Sequence, residues 1–301
     1  ENHEGKLAAR RTAREAVTTA ALSRMRCSLR SRRSRERPRA GPGKRPGKNM
    51  PSLEVILAAA IVVSLVFYCL LGGADYGGGV WDLLARGPRA KAQRQVIADA
   101  LGPIWEANHV WLILVVVVLF TAFPPAFSAI ATALHVPLTL LLVGIVLRGA
   151  AFNFRAHDRK EDDVQRRWGT LFAVASLVTP LLLGTAAGAI ASGRLPAGAI
   201  TSMADFFLPW LAPFPLAVGC LALVLFAFLA AVYLTLATED TELREDFRRR
   251  ALISAATVPA IALLVFWLSH TGAPDVWRGL SREPWGWPLQ TMTGALAAGA
   301  L

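Results

Sequence analysis

The chain has 301 residues, 54% of them hydrophobic, and a mean hydropathy of +0.44, above the roughly 45–50% apolar content of soluble domains. The net charge of +11 does not point to a nucleic-acid-binding body, because residues 1–49 hold 15 Lys and Arg against 4 Asp and Glu, and residues 50–301 hold 17 of each. Three cysteines, Cys27, Cys69 and Cys220, with no Cys-x-x-Cys or Cys/His cluster, argue against disulfides and a zinc site.

In chain order, residues 1–49 come first. They contain "RCSLRSRRSRERPRAGPGKRPGK" and almost no apolar periodicity, so they cannot bury enough surface to offset their ordering entropy. An RNA-binding arm, a targeting peptide, or an upstream stretch not native to the mature protein all fit such a tail. "MPSLEVILAAA" from Met50 reads as a natural start of a membrane protein.

Apolar runs near the ~20 residues needed to cross a bilayer follow. The first span is expected over Leu53 to Ala74, the second over Glu106 to Phe123 and the third over Phe127 to Arg148. "FPPAF" separates the last two, which predicts a tight hairpin turning at Pro124 and Pro125. The fourth covers Trp168 to Ala191 around Pro180, the fifth Leu211 to Ala237 and the sixth Ala251 to His270. A seventh begins near Trp287 and meets the chain end at Leu301, so the chain reads as C-terminally truncated. The expected fold is an all-α polytopic membrane protein, with residues 50–301 forming six complete spans and the start of a seventh. Between spans one and two, "PRAKAQRQVIADALG" puts Val96, Ile97, Ala100 and Leu101 on one face, which predicts a short amphipathic helix at the membrane surface.

Lys and Arg in short loops set orientation. The loops after spans one, three and five carry 13, and those after spans two, four and six carry three. The basic loops are therefore expected in the cytoplasm and residue 50 outside. The basic tail then sits on the wrong side of the rule, which favours a start at Met50.

Charges inside membrane spans cost about 2.5–3.5 kcal/mol each on insertion scales and need a partner or a task. Asp75 ends span one within "GGADYGGG"; Trp105, Glu106, Asn108, His109 and Trp111 cluster at the start of span two; Arg148 closes span three, with Arg155 on the same face. Counting residues from Pro125 at about 1.5 Å each puts Glu106 and Arg148 within about 6 Å of one depth. These residues are expected to share a polar pocket toward the cytoplasmic side. Plainer readings stand beside it: Arg148 and Arg155 as interfacial anchors, Trp105 and Trp111 as an aromatic belt, Asp75 as a helix cap, His109 as an interfacial histidine. His135 lies deeper, but a lone intramembrane histidine is a weak heme-ligand signal. The glycines around Asp75 fit close backbone approach or a loosened helix end.

Together these stretches carry a resemblance. "GADYGGG" at 73–79, "GPIWEANHVWLI" at 102–113, "LFTAFPPAFS" at 119–128, "VLRGAAFNFR" at 146–155, and "APFPLAVG" with "VYLTLATEDTELREDFRRRA" between 212 and 251 resemble, in that order, motifs of subunit II of the cytochrome bd-type quinol oxidases. The resemblance implies transmembrane helix bundles of that type in a bacterial inner membrane. It implies a partner, the heme-bearing subunit I with heme b and heme d, in a complex that oxidises quinol and reduces dioxygen to water. For this chain it implies a non-heme-ligating role, with no catalytic residue and no metal of its own. The expected tasks are stabilising the assembly and lining a proton pathway through Asp75, Glu106 and His109, with Trp105, Asn108, Trp111, Arg148 and Arg155 in support. A quinone or lipid held in the apolar interior is compatible with it. His109, where well-known members carry Gln or Glu, and "FLAAVYL" without a histidine depart from the pattern, in keeping with a divergent branch such as the cyanide-insensitive kind. A secondary transporter and a purely structural membrane subunit are the alternatives.

Overall fold

The computed structural model describes residues 52–157, 162–196 and 202–299, without the side chains at 101–107, 152–153, 155–157, 162–166 and 297–298. The basic tail lies outside the described residues. Ten helices and no strand occur among the described residues: α1 (Leu53–Leu84), α2 (Ala90–Ala122), α3 (Pro124–Ala133), α4 (His135–His157), α5 (Asp162–Ala191), α6 (Met203–Leu211), α7 (Pro213–Ala237), α8 (Thr241–Gly272), α9 (Pro274–Ser281) and α10 (Gly286–Gly299). Four stretches, Leu53–Leu84, Arg167–Ala191, Pro213–Ala237 and Thr241–Gly272, are each long and apolar enough to cross a membrane. The chain is an all-α, multi-pass membrane protein.

α1 sits at the centre and packs against α2, α5 and α7; α4 packs on α5, and α8 on α7. The two halves of α1 differ. Leu53, Val55, Ile56, Val62, Val63 and Val66 are exposed, whereas every residue from Gly72 to Asp82 is buried. The glycines do not loosen the helix, which runs ten residues past the predicted end at Ala74. They let neighbouring helices approach. A Cβ on Gly77 would lie 1.9 Å from the Phe226 carbonyl oxygen of α7, and one on Gly79 would lie 2.2 Å from Ser176 of α5. Beyond this seam Trp81 donates its indole N–H to the Ala227 carbonyl at 2.8 Å.

The segment expected to lie on the membrane surface is instead the first part of α2, continuous with the helix that follows. Its apolar face is covered by protein: Ile97 is buried with Val80, Trp81, Leu234 and Phe247, and Val96 and Ala100 pack against that cluster. Amphipathic periodicity marks a face that must be covered, not what covers it.

The second expected span ends where expected, since α2 stops at Ala122, but the third is broken. Pro124 occupies the first position of a new helix, where its missing N–H is tolerated. The resulting ten-residue α3 is bent 117° from Asn108–Ala122. The expected hairpin is therefore an elbow that bends ahead of Pro124 and continues through α3, and the third long helix starts at His135 rather than Phe127. At the break between α3 and α4, Leu134 is fully buried with Leu141, Leu182, Ala186 and Trp210.

Candidate functional site: a buried ion pair among four helices

The elbow fixes the register of the site. Asn108 lies 14 residues before Ala122, and Arg148 lies 13 residues after His135. At about 1.5 Å per residue both sit roughly 20 Å along their helices from the two ends of α3. Asp75 of α1 comes between them.

Arg148 is almost wholly buried, and so is Asp75. The guanidinium donates from Nη1 to Asp75 Oδ2 at 2.7 Å and from Nη2 to Oδ1 at 2.6 Å, a bidentate pair. Nη2 also donates to the Asp75 main-chain carbonyl at 2.7 Å, and Nε donates to Ser176 Oγ of α5 at 2.9 Å. Ser176 in turn donates a hydrogen bond from its hydroxyl to the Phe172 carbonyl at 2.7 Å. The Arg148 plane lies between two rings, 4.7 Å from the centroid of Tyr76 and 4.8 Å from that of Phe172, so aromatic faces replace part of the lost hydration. Asn108 of α2 donates Nδ2 to Asp75 Oδ2 at 3.3 Å. Four helices thus meet through one carboxylate and one guanidinium.

A polar edge surrounds this pair. Tyr68 and Tyr76 bring their hydroxyls to 3.4 Å one above the other on α1, and Tyr76 stacks on Phe226. Asn108 Oδ1 and Thr179 Oγ1 are buried without a hydrogen-bond partner among the described residues. Thr179 is one turn beyond Ser176 on α5 and faces Gly144, one turn before Arg148 on α4, where a Cβ would come within 2.3 Å of its hydroxyl. Buried polar atoms of this kind are ordinarily satisfied by water.

Of the residues expected in the pocket, the structure brings Asp75, Asn108 and Arg148 into direct contact. His109 is half-buried beside Asn108 on α2. Trp111 stacks on Phe67 with centroids 4.6 Å apart and packs against the Tyr68, Tyr76 and Phe226 cluster. The side chains of Trp105, Glu106 and Arg155 lie outside the described residues; their backbones belong to α2 and α4. His135 opens α4 instead of lying inside a continuous helix from Phe127, and it is exposed, edge-on to Phe206. The reason is the elbow, which uses residues 124–133 for α3. Tyr76, Phe172 and Ser176 were not singled out from the sequence. The available signal was Ser176, a hydroxyl inside an apolar run near the predicted depth of Arg148.

His135 and His270 lie exposed in edge-on contact with Phe206 and Trp277, and no group of three His, Cys, Asp or Glu that could hold a metal ion occurs among the described residues.

A second charged network ties the α1–α2 connection to the start of α8. Arg89 donates to both carboxylate oxygens of Asp246, at 2.9 and 2.6 Å, and to Glu242 at 2.9 Å. Gln93 donates to Asp246 at 2.8 Å and accepts from Arg250 at 2.8 Å. Hydrogen bonding to Asp246 first, then its charge, raises Arg89 above its ordinary arginine value. Two other arginines close helix C-termini: Arg94 donates to the carbonyls of Asp82 and Ala85, and Arg244 to that of Thr238.

A family model described as cytochrome bd terminal oxidase subunit II matches residues 53–301. The chain is 27% identical over 213 residues to cytochrome bd-I ubiquinol oxidase subunit 2 of Escherichia coli strain K12, covering 69% of this chain and 55% of the relative. It is 29% identical over 137 residues to cytochrome bd ubiquinol oxidase subunit 2 of Bacillus subtilis strain 168, covering 45% of this chain and 39% of that one. The chain thus spans between about two fifths and just over half of the length of these relatives. Among solved structures, the bd oxidase from Geobacillus thermodenitrificans superposes with a TM-score of 0.61 at 23% identity, over 76% of this chain and 70% of that one, which shows a shared fold. The matched helices and their ordered motifs place this chain in the cytochrome bd terminal oxidase subunit II family.

Proposed function

We propose that the chain serves as subunit II of a quinol-oxidising, dioxygen-reducing complex in a bacterial inner membrane. In this reading it pairs with a heme-bearing subunit I that carries heme b and heme d. It steadies that assembly and lines a proton route from the cytoplasm. The observation that carries the proposal is the Asp75–Arg148 pair with Asn108 attached, an ionic centre inside helices that face lipid. Ionisable groups at such positions mark ion or proton pathways more often than scaffolding.

The geometry divides the labour among the residues. Both Asp75 oxygens face Arg148, and one also accepts from Asn108, so a proton passing through Asp75 requires the pair to open. Asp75 and Arg148 therefore act as a brace and a gate. Glu106 and His109, on α2 beside Asn108, are the proposed carriers at the cytoplasmic end; carboxyl and imidazole groups can each take up and give back a proton, which suits that task. Asn108 Oδ1 and Thr179 Oγ1 extend the polar edge where water can bridge.

The test is Glu106→Gln in the assembled complex, with oxygen consumption and proton uptake measured together. Both are expected to fall at least tenfold while the complex still assembles. Unchanged turnover and uptake overturn the proton-route reading. Purification without any heme-bearing partner overturns the subunit reading.

A further inference from the structure

The basic end of the bundle contains a cleft that neither the ion pair nor the family relationship accounts for. It measures about 330 Å³ and is walled by Arg86, Arg89, Gln93, Asp246, Arg249 and Arg250. That volume falls within the range of small-ligand sites, roughly 300–1,000 Å³.

The charges in this cleft do not cancel. Arg89 is satisfied by Asp246 and Glu242. Arg86 and Arg249 have no hydrogen-bond or ion-pair partner among the described residues, and Arg250 has none for Nη1, although that atom is buried. Arg250 is also held in place: its Nη2 bonds Gln93, and its guanidinium lies 5.4 Å from the Trp81 ring centroid and 5.5 Å from that of Phe247. Three guanidinium groups thus surround one cleft with donors left over. Guanidinium donors in a fixed fork suit phosphate oxygens.

The surroundings identify the kind of phosphate. Ile253 also lines the cleft, one helical turn beyond Arg249 on α8, and is 60% exposed. From there exposed apolar residues continue along the spanning part of α8, including Leu263, Leu264 and Trp267. Leu83 and Leu84 are exposed at the end of α1. Cationic donors at a helix end with exposed apolar side chains one turn away match the headgroup and first acyl carbons of one molecule.

We propose that this cleft binds the phosphate of an anionic glycerophospholipid, with Arg249, Arg250 and Arg86 holding the headgroup and Ile253 the start of an acyl chain. The site is separate from the proton route and does not depend on it.

The experiment uses the full chain, purified from membranes with whatever co-purifies and exchanged into phosphatidylcholine nanodiscs. Binding of phosphatidylglycerol is measured by native mass spectrometry for the wild-type chain, for Arg249→Gln and for Arg248→Gln. Arg248 is a neighbouring exposed arginine paired with Glu245 and outside the cleft wall, so its loss removes the same charge elsewhere. The expected result is at least a fivefold loss for Arg249→Gln and wild-type binding for Arg248→Gln. Equal losses in both variants, or no loss in either, overturn the site. Equal retention of added phosphatidylglycerol and phosphatidylcholine overturns the anionic headgroup. Inorganic phosphate displacing the lipid at millimolar concentration overturns the lipid and leaves a soluble phosphate as occupant. Melting of each variant in phosphatidylcholine alone separates loss of the site from loss of the fold.

Discussion

Asp75 and Arg148 meet with 1% and 2% of their side-chain surface exposed, whereas Arg89 meets Asp246 and Glu242 with 45%, 23% and 73% exposed. The hydrogen-bond lengths are nearly the same in the two networks. Their energetic meaning is opposite. In the exposed network water competes for every donor, salt screens the charges, and each long side chain loses rotamer freedom by pairing. In the buried network neither group has an alternative, so the pair is worth little against an apolar substitute but costs a great deal to break. Similar contacts thus act as a loose clamp between two surface segments and as an obligatory joint among four helices.

Arg148→Ala should break this contrast most visibly. It leaves a carboxylate buried without a counter-charge, a loss of about 3–5 kcal/mol. The expected outcome is failure to accumulate in the membrane or a collapse of the melting transition, read by fluorescence-detected chromatography. Arg148→Ala combined with Asp75→Ala should recover part of the loss; a double variant no better than the single one would remove the buried charge as the cause.

Gly77→Leu comes next, and tests whether the close seam that delivers Asp75 matters as much as its charge. Even a Cβ meets the Phe226 carbonyl at 1.9 Å, so α1 and α7 must separate. Overpacking of this kind costs about 1–3 kcal/mol or more, and protease sensitivity at the α1–α7 contact should rise. Arg89→Ala should have the smallest effect: a melting midpoint within error of wild type at high salt and a slight decrease at low salt. A large, salt-independent decrease would show that the exposed network is not exposed in the working assembly.

Asp75, Asn108 and Arg148 were visible as charges and amides in apolar runs, because a membrane makes such residues conspicuous. Their meeting was visible only roughly, since the residue count assumed a turn at Pro125 when the chain spends residues 124–133 on α3. Proline at a helix start and proline at a turn have the same local chemistry, and here Pro124 is at both, opening α3 at the bend. Tyr76 and Phe172 were illegible for a different reason. An aromatic residue in a span is ordinary until an arginine lies on its face. The α2 segment misled in the same way: its stripe of Val96, Ile97 and Ala100 carries no label saying whether lipid or Phe247 will cover it.

The order in which the pair is made has a consequence for biogenesis. Asp75 and Arg148 are 73 residues apart, and α1 emerges from the ribosome before α4 exists. The carboxylate therefore approaches the membrane with no guanidinium to meet it, at an insertion cost of about 3 kcal/mol. The exposed aliphatic first half of α1 offsets that cost and anchors the chain while its second half waits. Arg148 then arrives with α4, so the centre of the bundle can be completed only after α2, α3 and α4 have all been made.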